Sequence, residues 1–512
     1  MKRTTLAGIL LFSINGFTQD VRKANSLFAS GNYDEAVEEY NDYLKTDSTD
    51  VDARYKIAVS YLNSNIDKSV AISHLEYVVK QKNAKANATY LLGRAYHLGY
   101  QFNKAIAEYN KFKTLKGGSP ANLEMVDQQI AYCENAMEIM KFPLNASIDN
   151  LGKNVNSSYA DYYPFVPLDE SYVIFNSKRS QNSIELENGN FLSNVYIARV
   201  EDGKTKKATL LSEDVCVKDR TEEVVGLTSD GSQAVLYIEE LDGSGDLYLA
   251  KVDESRVFKP KKLSKNINSK HTEIAGTLTK DGNSLYFASN KPGGYGGVDI
   301  YVCRKLPNGK WGEAQNLGPT INTKFDEDFP HLSVDGNTLY FSSKGHTSMG
   351  GYDIFSATWD ATKRRFGSVQ NMRFPINTPD DDMNFRMSEN GRYGYISSLR
   401  EGGYGDLDIY RITFNEVEPR YTVITGYINT DVGSFEAEDV YLSVFDMETD
   451  EIYGDYRINP NTMRYVIILP PGKFELNMEI DGFDNYIENI KVLDKNGYKS
   501  KITKNISIVK SK

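Results

Sequence analysis

Two spacings of apolar residues divide the chain. In the first 140 or so positions they recur every three or four residues, as on one face of a helix; beyond that they alternate with polar residues in short runs, as strands do. Asn32 to Asp50 places Tyr33, Ala36, Tyr40 and Tyr43 on one helical face, with Asp34 and Glu35 where acid suits a helix start. Phe102 to Leu115 repeats the pattern with Ala105, Tyr109 and Phe112. Upstream partner helices carry the small residues Ala24, Ala58 and Gly93, spaced 34 and 35 residues apart, which is tetratricopeptide spacing. Three repeats are expected, the middle one (Asp52 to Lys80) irregular in its second helix. A further amphipathic helix from Asn122 to Met140, with Ile130, Cys133, Ala136 and Met137 on its apolar face, is expected to cap them. The tyrosines read as core packing positions ahead of ligand contacts.

The strand region says one sentence five times. Asp281 to Tyr301 is DGNSLYFASNKPGGYGGVDIY, and Asp335 to Phe355 is DGNTLYFSSKGHTSMGGYDIF. Looser copies run from Asp230 to Tyr248, from Asn390 to Tyr410 and from Asp169 to Tyr196, where Asp169-Glu170 replaces Asp-Gly. Asp-Gly or Asn-Gly supplies the positive φ of a tight hairpin turn, LYFAS alternates as a strand, and DIY is a further strand after a glycine-rich turn. With an outer strand such as KWGEAQNL or RFGSVQNM, each copy makes a four-stranded blade. The phrases KNVNS, KNINS, TINT and PINT (starting at 153, 265, 320 and 375) precede the first, third, fourth and fifth blades. No outer strand follows the fifth copy, so Phe142 to Leu151 is expected to close the ring by pairing with the blade near 383 to 414.

The DG-x-x-LYF-x-S…GG-x-DIY blade resembles the TolB-type, WD40-like propellers of bacterial envelope proteins. After an acidic linker, Asn415 to Pro419, the segments VITGYI, VYLSVFDMET, RYVIILPPGKFELNMEI and GFDNYIENIKVL read as a β-sandwich of about seven strands. Their order resembles the carboxypeptidase regulatory-like, transthyretin-like fold, an accessory interaction module. The expected fold class is thus multidomain α plus all-β. It comprises a leader (1–18), a tetratricopeptide solenoid (19–140), a five-bladed propeller (142–414) and a transthyretin-like sandwich (420–512).

Composition narrows the chemistry. A net charge of −11 without a lysine or arginine cluster argues against nucleic acid as a partner. Met1-Lys2-Arg3 followed by LAGILLFSINGF reads as a secretory signal with a mature start near Gln19; the alternative is an uncleaved amphipathic helix. Cys133, Cys216 and Cys303 are too far apart for a disulfide framework or zinc motif and read as buried apolar residues. G-x-S-x-G and H-E-x-x-H are absent, Gly203-Lys204-Thr205 lacks the earlier glycine of a phosphate loop, and the five histidines, His74, His97, His271, His331 and His346, read as helical or surface residues. No catalytic residue, cofactor or metal is expected.

One constellation recurs with the repeat. Eight positions before each turn stands an acid: Asp161, Glu222, Glu273, Glu327 and Asp382. Either each carboxylate brackets backbone N–H groups of the next blade, or the five ring one channel mouth and take a cation or basic segment.

The order leader, helical repeats, propeller, sandwich resembles periplasmic PorE-type proteins of type IX secretion and gliding machinery. That resemblance implies a non-catalytic periplasmic scaffold held at the outer membrane by envelope proteins or peptides that bind its solenoid and propeller. The alternative is a receptor for a small ligand, glycan or peptide at the propeller channel. An OmpA-like peptidoglycan-binding domain commonly follows the sandwich in that family; the sequence ends at Lys512 without one, so direct peptidoglycan anchoring is not expected.

Overall fold

The computed structural model describes residues 21–511, apart from 65, 167–171, 202–203, 213–214, 229–231, 254–255, 334, 388–392, 401, 416–420, 431–432, 461–462 and 494–500. The leader expected at 1–18, the turns at Asp169-Glu170, Asp230-Gly231 and Asn390-Gly391, Gly203, and the linker beyond Asn415 lie outside the described residues. The protein is mostly β, with a helical N-terminal part. It divides into two compact units: residues up to Ile130 with Glu187–Asn190, and Ala131–Leu186 with Phe191–Lys512.

The helical unit is built from the successive helices Val21–Ser30, Tyr33–Thr46, Val51–Asn63, Ala71–Val78, Ala86–Leu98 and Phe102–Thr114, and the start of Pro120–Ile139. Asn32 caps the second helix by accepting from Glu35 N–H, and Asp50 caps the third by accepting from Asp52 and Ala53 N–H. Ala24, Ala36, Tyr40, Ala58, Ala105, Tyr109 and Phe112 are all buried. Gly93 is small for a reason visible in the packing: a Cβ there would lie 2.6 Å from Tyr109 Cε1. The irregular middle pair has a second helix of only eight residues, Ala71–Val78, entered through a short 3-10 turn. No helix among the described residues is long and apolar enough to cross a membrane.

In the second unit, five antiparallel sheets follow one another. Their first strands are Asp161–Phe165, Thr221–Leu227, Glu273–Leu278, Glu327–Leu332 and Asp382–Met387. Each first strand lies beside the next, and the fifth lies beside the first, so the arrangement is cyclic and propeller-like. The third sheet shows the general order: Glu273–Leu278, Ser284–Ser289, Asp299–Arg304, Gln315–Asn316. LYFAS forms a strand because both its faces are buried: Leu285 and Phe287 join a core that includes residues of the second sheet, and Tyr286 joins the core with Leu339 and Phe341 of the fourth. The fifth sheet takes its outer strand from before the first: Ala146–Asn150 pairs with Asp408–Phe414, Ala146 opposite Phe414 and Asn150 opposite Tyr410.

Two further details belong to this unit. The helix expected as a cap contributes its second half here, where Tyr132 Oη donates to Lys344 O and Asn135 Nδ2 donates to Ser348 O at 2.9 Å. The C-terminal residues form two more sheets around one apolar core that includes Ile424, Leu442, Val444, Tyr465, Ile467, Phe474 and Leu476. One holds Arg464–Leu469, Thr422–Thr430, Lys501–Thr503 and Ile506–Ile508; the other holds Glu451–Tyr456, Val440–Asp446, Gly472–Ile480 and Tyr486–Val492.

Candidate functional site

Asp161, Glu273, Glu327 and Asp382 are each the first residue of an inner strand and Glu222 is the second of its own, and all five are 0% exposed. Four of them reach back four residues and accept from both a backbone N–H and the hydroxyl of the same residue. The distances are 2.6 and 2.7 Å from Ser157 to Asp161, 2.9 and 2.8 Å from Ser269 to Glu273, 2.6 and 2.7 Å from Thr323 to Glu327, and 2.6 and 2.8 Å from Thr378 to Asp382. Ser289, Ser343 and Ser398 donate to Glu273, Glu327 and Asp382 from the adjoining strand. Glu222, whose loop lacks that hydroxyl, accepts from Val217 N–H and is paired with Arg220.

Arg179 and Arg400 likewise pair with Asp161 and Asp382, at 3.0 and 3.3 Å. The donors that hold the carboxylates thus come from their own entry loops and blades, and not from the next blade. Among the described residues no three acidic, histidine or cysteine side chains gather to hold a metal ion. Burial pushes Glu222 and Glu327 up to about 7 and Asp382 up to about 6, against the pull of their donors.

A second scaffold element stands in the repeated phrases. Asn156, Asn268, Asn322 and Asn377 each use Oδ1 to accept from, and Nδ2 to donate to, the two backbone groups of a single residue in a third strand: Ile409, Leu247, Ile300 and Ile354. The side-chain amide thus imitates a peptide unit of a neighbouring strand. Asp299, Asp353 and Asp408, the aspartates of the DIY-type phrase, accept from N–H groups of Tyr295, Met349 and Tyr404 in the preceding glycine-rich turn.

The open space lies at the other end of the inner strands. A cavity of about 50 Å³ is lined by their last residues, Phe165, Leu227, Leu278, Leu332 and Met387, and by Arg386, His331 and Lys280. Each inner strand carries a register irregularity. In three of them a non-glycine residue has positive φ: Tyr163 (55°), Phe329 (52°) and Asn384 (60°). Between the second and third sheets the backbones nearly touch, since a Cβ on Gly226 would lie 2.2 Å from Gly276 O.

This interior is polar at its centre. Asp328 is buried, accepts from Phe329 N–H at 2.6 Å, and is pushed up to about 7 by burial. Tyr163 Oη, Asn384 Oδ1 and Arg386 Nε are buried without a hydrogen-bond partner. His331 is a channel residue, not a surface one: it stacks on Tyr340 at 6.2 Å, and burial with Arg386 nearby holds its ring neutral. His346 also has an internal role, its Nε2 lying 2.9 Å from Ile321 O. The three cysteines are buried and free.

Sequence reasoning thus missed the cavity. Its signal was available three positions before each turn, where Val166, Leu227, Leu278, Leu332 and Met387 are all apolar and all line the space.

No family model matches the sequence, and no curated protein matches it. Among solved structures the chain is similar to TolB from Acinetobacter baumannii, at 15% identity over 58% of this chain and 71% of that one, with a TM-score of 0.33. It is similar to the periplasmic gluconolactonase PpgL of Pseudomonas aeruginosa at 11% identity, over 65% of this chain and 98% of that one, with a TM-score of 0.29. It is also similar to CoXyl43, a β-xylosidase/α-arabinofuranosidase from a compost microbial metagenome, at 14% identity over 53% of this chain and 94% of that one, with a TM-score of 0.35.

Proposed function

We propose that the protein is a non-catalytic adaptor of the bacterial periplasm, built from tetratricopeptide repeats, a five-bladed propeller and a transthyretin-like sandwich, and joined to an outer-membrane-associated complex by protein partners. The observation that supports a binding role best is the strand Arg464–Leu469, which is apolar on both faces. Tyr465, Ile467 and Leu469 fill the core, while Val466 and Ile468 are 48% and 47% exposed on the outside. They stand opposite Thr425 and Val423 of the adjoining strand, with Tyr427 beyond them, 46% exposed. A strand that needed only its own core would alternate with polar residues, so the second apolar face calls for a protein partner. The resemblance to PorE-type proteins makes type IX secretion or gliding machinery the proposed setting.

The test is affinity capture of the full-length protein from envelope extracts, compared with a Val466→Glu/Ile468→Lys variant. Envelope proteins should be recovered with the wild type and lost with the variant, while both melt alike. Recovery of no envelope protein by the wild type would refute the adaptor reading.

A second reading, a receptor for a small ligand at the propeller channel, is favoured by the buried polar groups around the channel cavity.

A further inference from the structure

Arg386 is a buried cation that makes no ion pair among the described residues. It is 3% exposed, with its guanidinium carbon 4.8 Å from the ring centre of Phe165 and 5.2 Å from that of Tyr163. Nη1 donates to Phe385 O at 3.0 Å and Nη2 to Val225 O at 3.2 Å. Carbonyls and aromatic faces solvate a cation but do not neutralise it. Nε has no partner, and among the described residues Arg386 makes no ion pair. Asp328 is the carboxyl whose field it feels, but burial keeps that group partly protonated at neutral pH. A guanidinium held this way pays a desolvation cost that an anion arriving in the cavity would offset.

The lining agrees with that deficit. Arg386 and Lys280 bring positive charge, His331 is neutral, and among the described residues no aspartate or glutamate lines the space. A volume of about 50 Å³ holds about three or four water-sized groups. The collar of Leu227, Leu278, Leu332 and Met387 suits a hydrocarbon tail better than a fully hydrated phosphate. The edge of a guanidinium that includes Nε matches the two oxygens of a planar carboxylate.

We propose that this cavity binds the carboxylate of a small organic acid, with Arg386 as its charge partner, Lys280 at the rim and the apolar collar around its carbon chain. The proposal rests on the second reading above, that the channel receives a small ligand, and supplies the ligand's class.

The test is thermal unfolding of the full-length protein, followed by fluorescence of Trp311 and Trp359. Sodium propionate is compared with sodium chloride at equal ionic strength, sodium phosphate, propionamide and glucose. Saturating propionate should raise the midpoint by about 3 °C, and propionamide should not. Arg386→Met should lose the propionate shift, read against the variant's own ligand-free midpoint because the buried carbonyls of Phe385 and Val225 lose their donors. Lys280→Gln, an exposed change, should weaken the response at least about threefold. A propionate shift surviving in Arg386→Met overturns the proposal; if that variant does not fold, an unaltered response in Lys280→Gln does so. A larger shift with phosphate overturns the carboxylate assignment. A shift with propionamide or glucose alone leaves the channel-receptor reading and removes the anion, whereas no shift with any probe removes both.

Discussion

Replacing Asn322 probes the device found at four of the five junctions between repeats. Its side chain is 0% exposed; Oδ1 accepts from Ile300 N–H at 2.8 Å, and Nδ2 donates to Ile300 O at 3.0 Å and to Asn316 Oδ1 at 2.8 Å. After Asn322→Ala, Ile300 O keeps Leu317 N–H and Asn316 Oδ1 keeps Gly318 N–H, so the group left without a partner is Ile300 N–H. An orphaned buried N–H costs about 1–3 kcal/mol and the two other lost bonds about 1 kcal/mol each, giving about 3–5 kcal/mol in all. For a unit of this size that lowers the midpoint by about 5 °C. Asn322→Asp separates the amide's role from packing. It keeps the shape and the acceptor for Ile300 N–H, but turns a carboxylate oxygen toward two acceptor oxygens in a buried site. It should therefore cost at least as much as alanine. Urea unfolding of the full-length chain read by fluorescence isolates the event, because the chain's two tryptophans, Trp311 and Trp359, both lie in the second unit. An Asn322→Asp protein within about 1 kcal/mol of wild type would show that the amide donor is dispensable, and the peptide-mimic argument would fail.

Three other predictions use the same unfolding assay or a simple chemical one. Asn150→Ala removes the amide that donates to Asp408 and accepts from Gly152 N–H and Asn156 Nδ2, so the closing strand should loosen at a cost of about 2–3 kcal/mol; a change under about 0.5 kcal/mol would place the closure elsewhere. Glu327 has a folded pKa of about 7, above its ordinary 4.5. Its stabilising contribution is thus fully present below about 4.5 and lost as pH rises through 7, and the stability gap to Glu327→Gln should move in the variant's favour between about pH 5 and pH 8; a pH-independent gap refutes this. Burial pushes the Cys133 thiol up to about 12 and Cys216 to about 11, and Cys303 is buried as well, so iodoacetamide at pH 8 should leave the native protein unlabelled and mark all three in urea; native labelling, read by mass, would contradict their placement.

Local patterns were read well where a residue's own surroundings dictate its place. LYFAS and LYFSS sit in Ser284–Ser289 and Thr338–Ser343, and the strand sought between Phe142 and Leu151 is Ala146–Asn150. Those positions answer to alternation and turn chemistry, which act within a few residues. The repeated asparagines were visible as letters, but their partners stand 21 to 23 residues away in three cases and 253 in the fourth, and no local rule connects them. The second half of Pro120–Ile139 escaped for the same reason: Tyr132 bonds to a residue 212 positions away.

The choice of the acidic offset has a more general cause. Searching a repeat for its most regular offset selects what every copy needs, and every copy needs its entry loop pinned; the acids eight before the turn do that. A ligand site on a cyclic repeat has a different signature, because one ligand meets all copies at once and asks something different of each. That signature lies four positions before the turn, where the copies read Phe165, Gly226, Thr277, His331 and Arg386. Four of these five line the cavity, and the fifth, Gly226, lets two backbones close to contact beside it. One offset further on, the invariant apolar residues from Val166 to Met387 make the collar. In this chain, uniform positions therefore build the ring and its walls, while the position at which five copies disagree gives the channel its differing side chains.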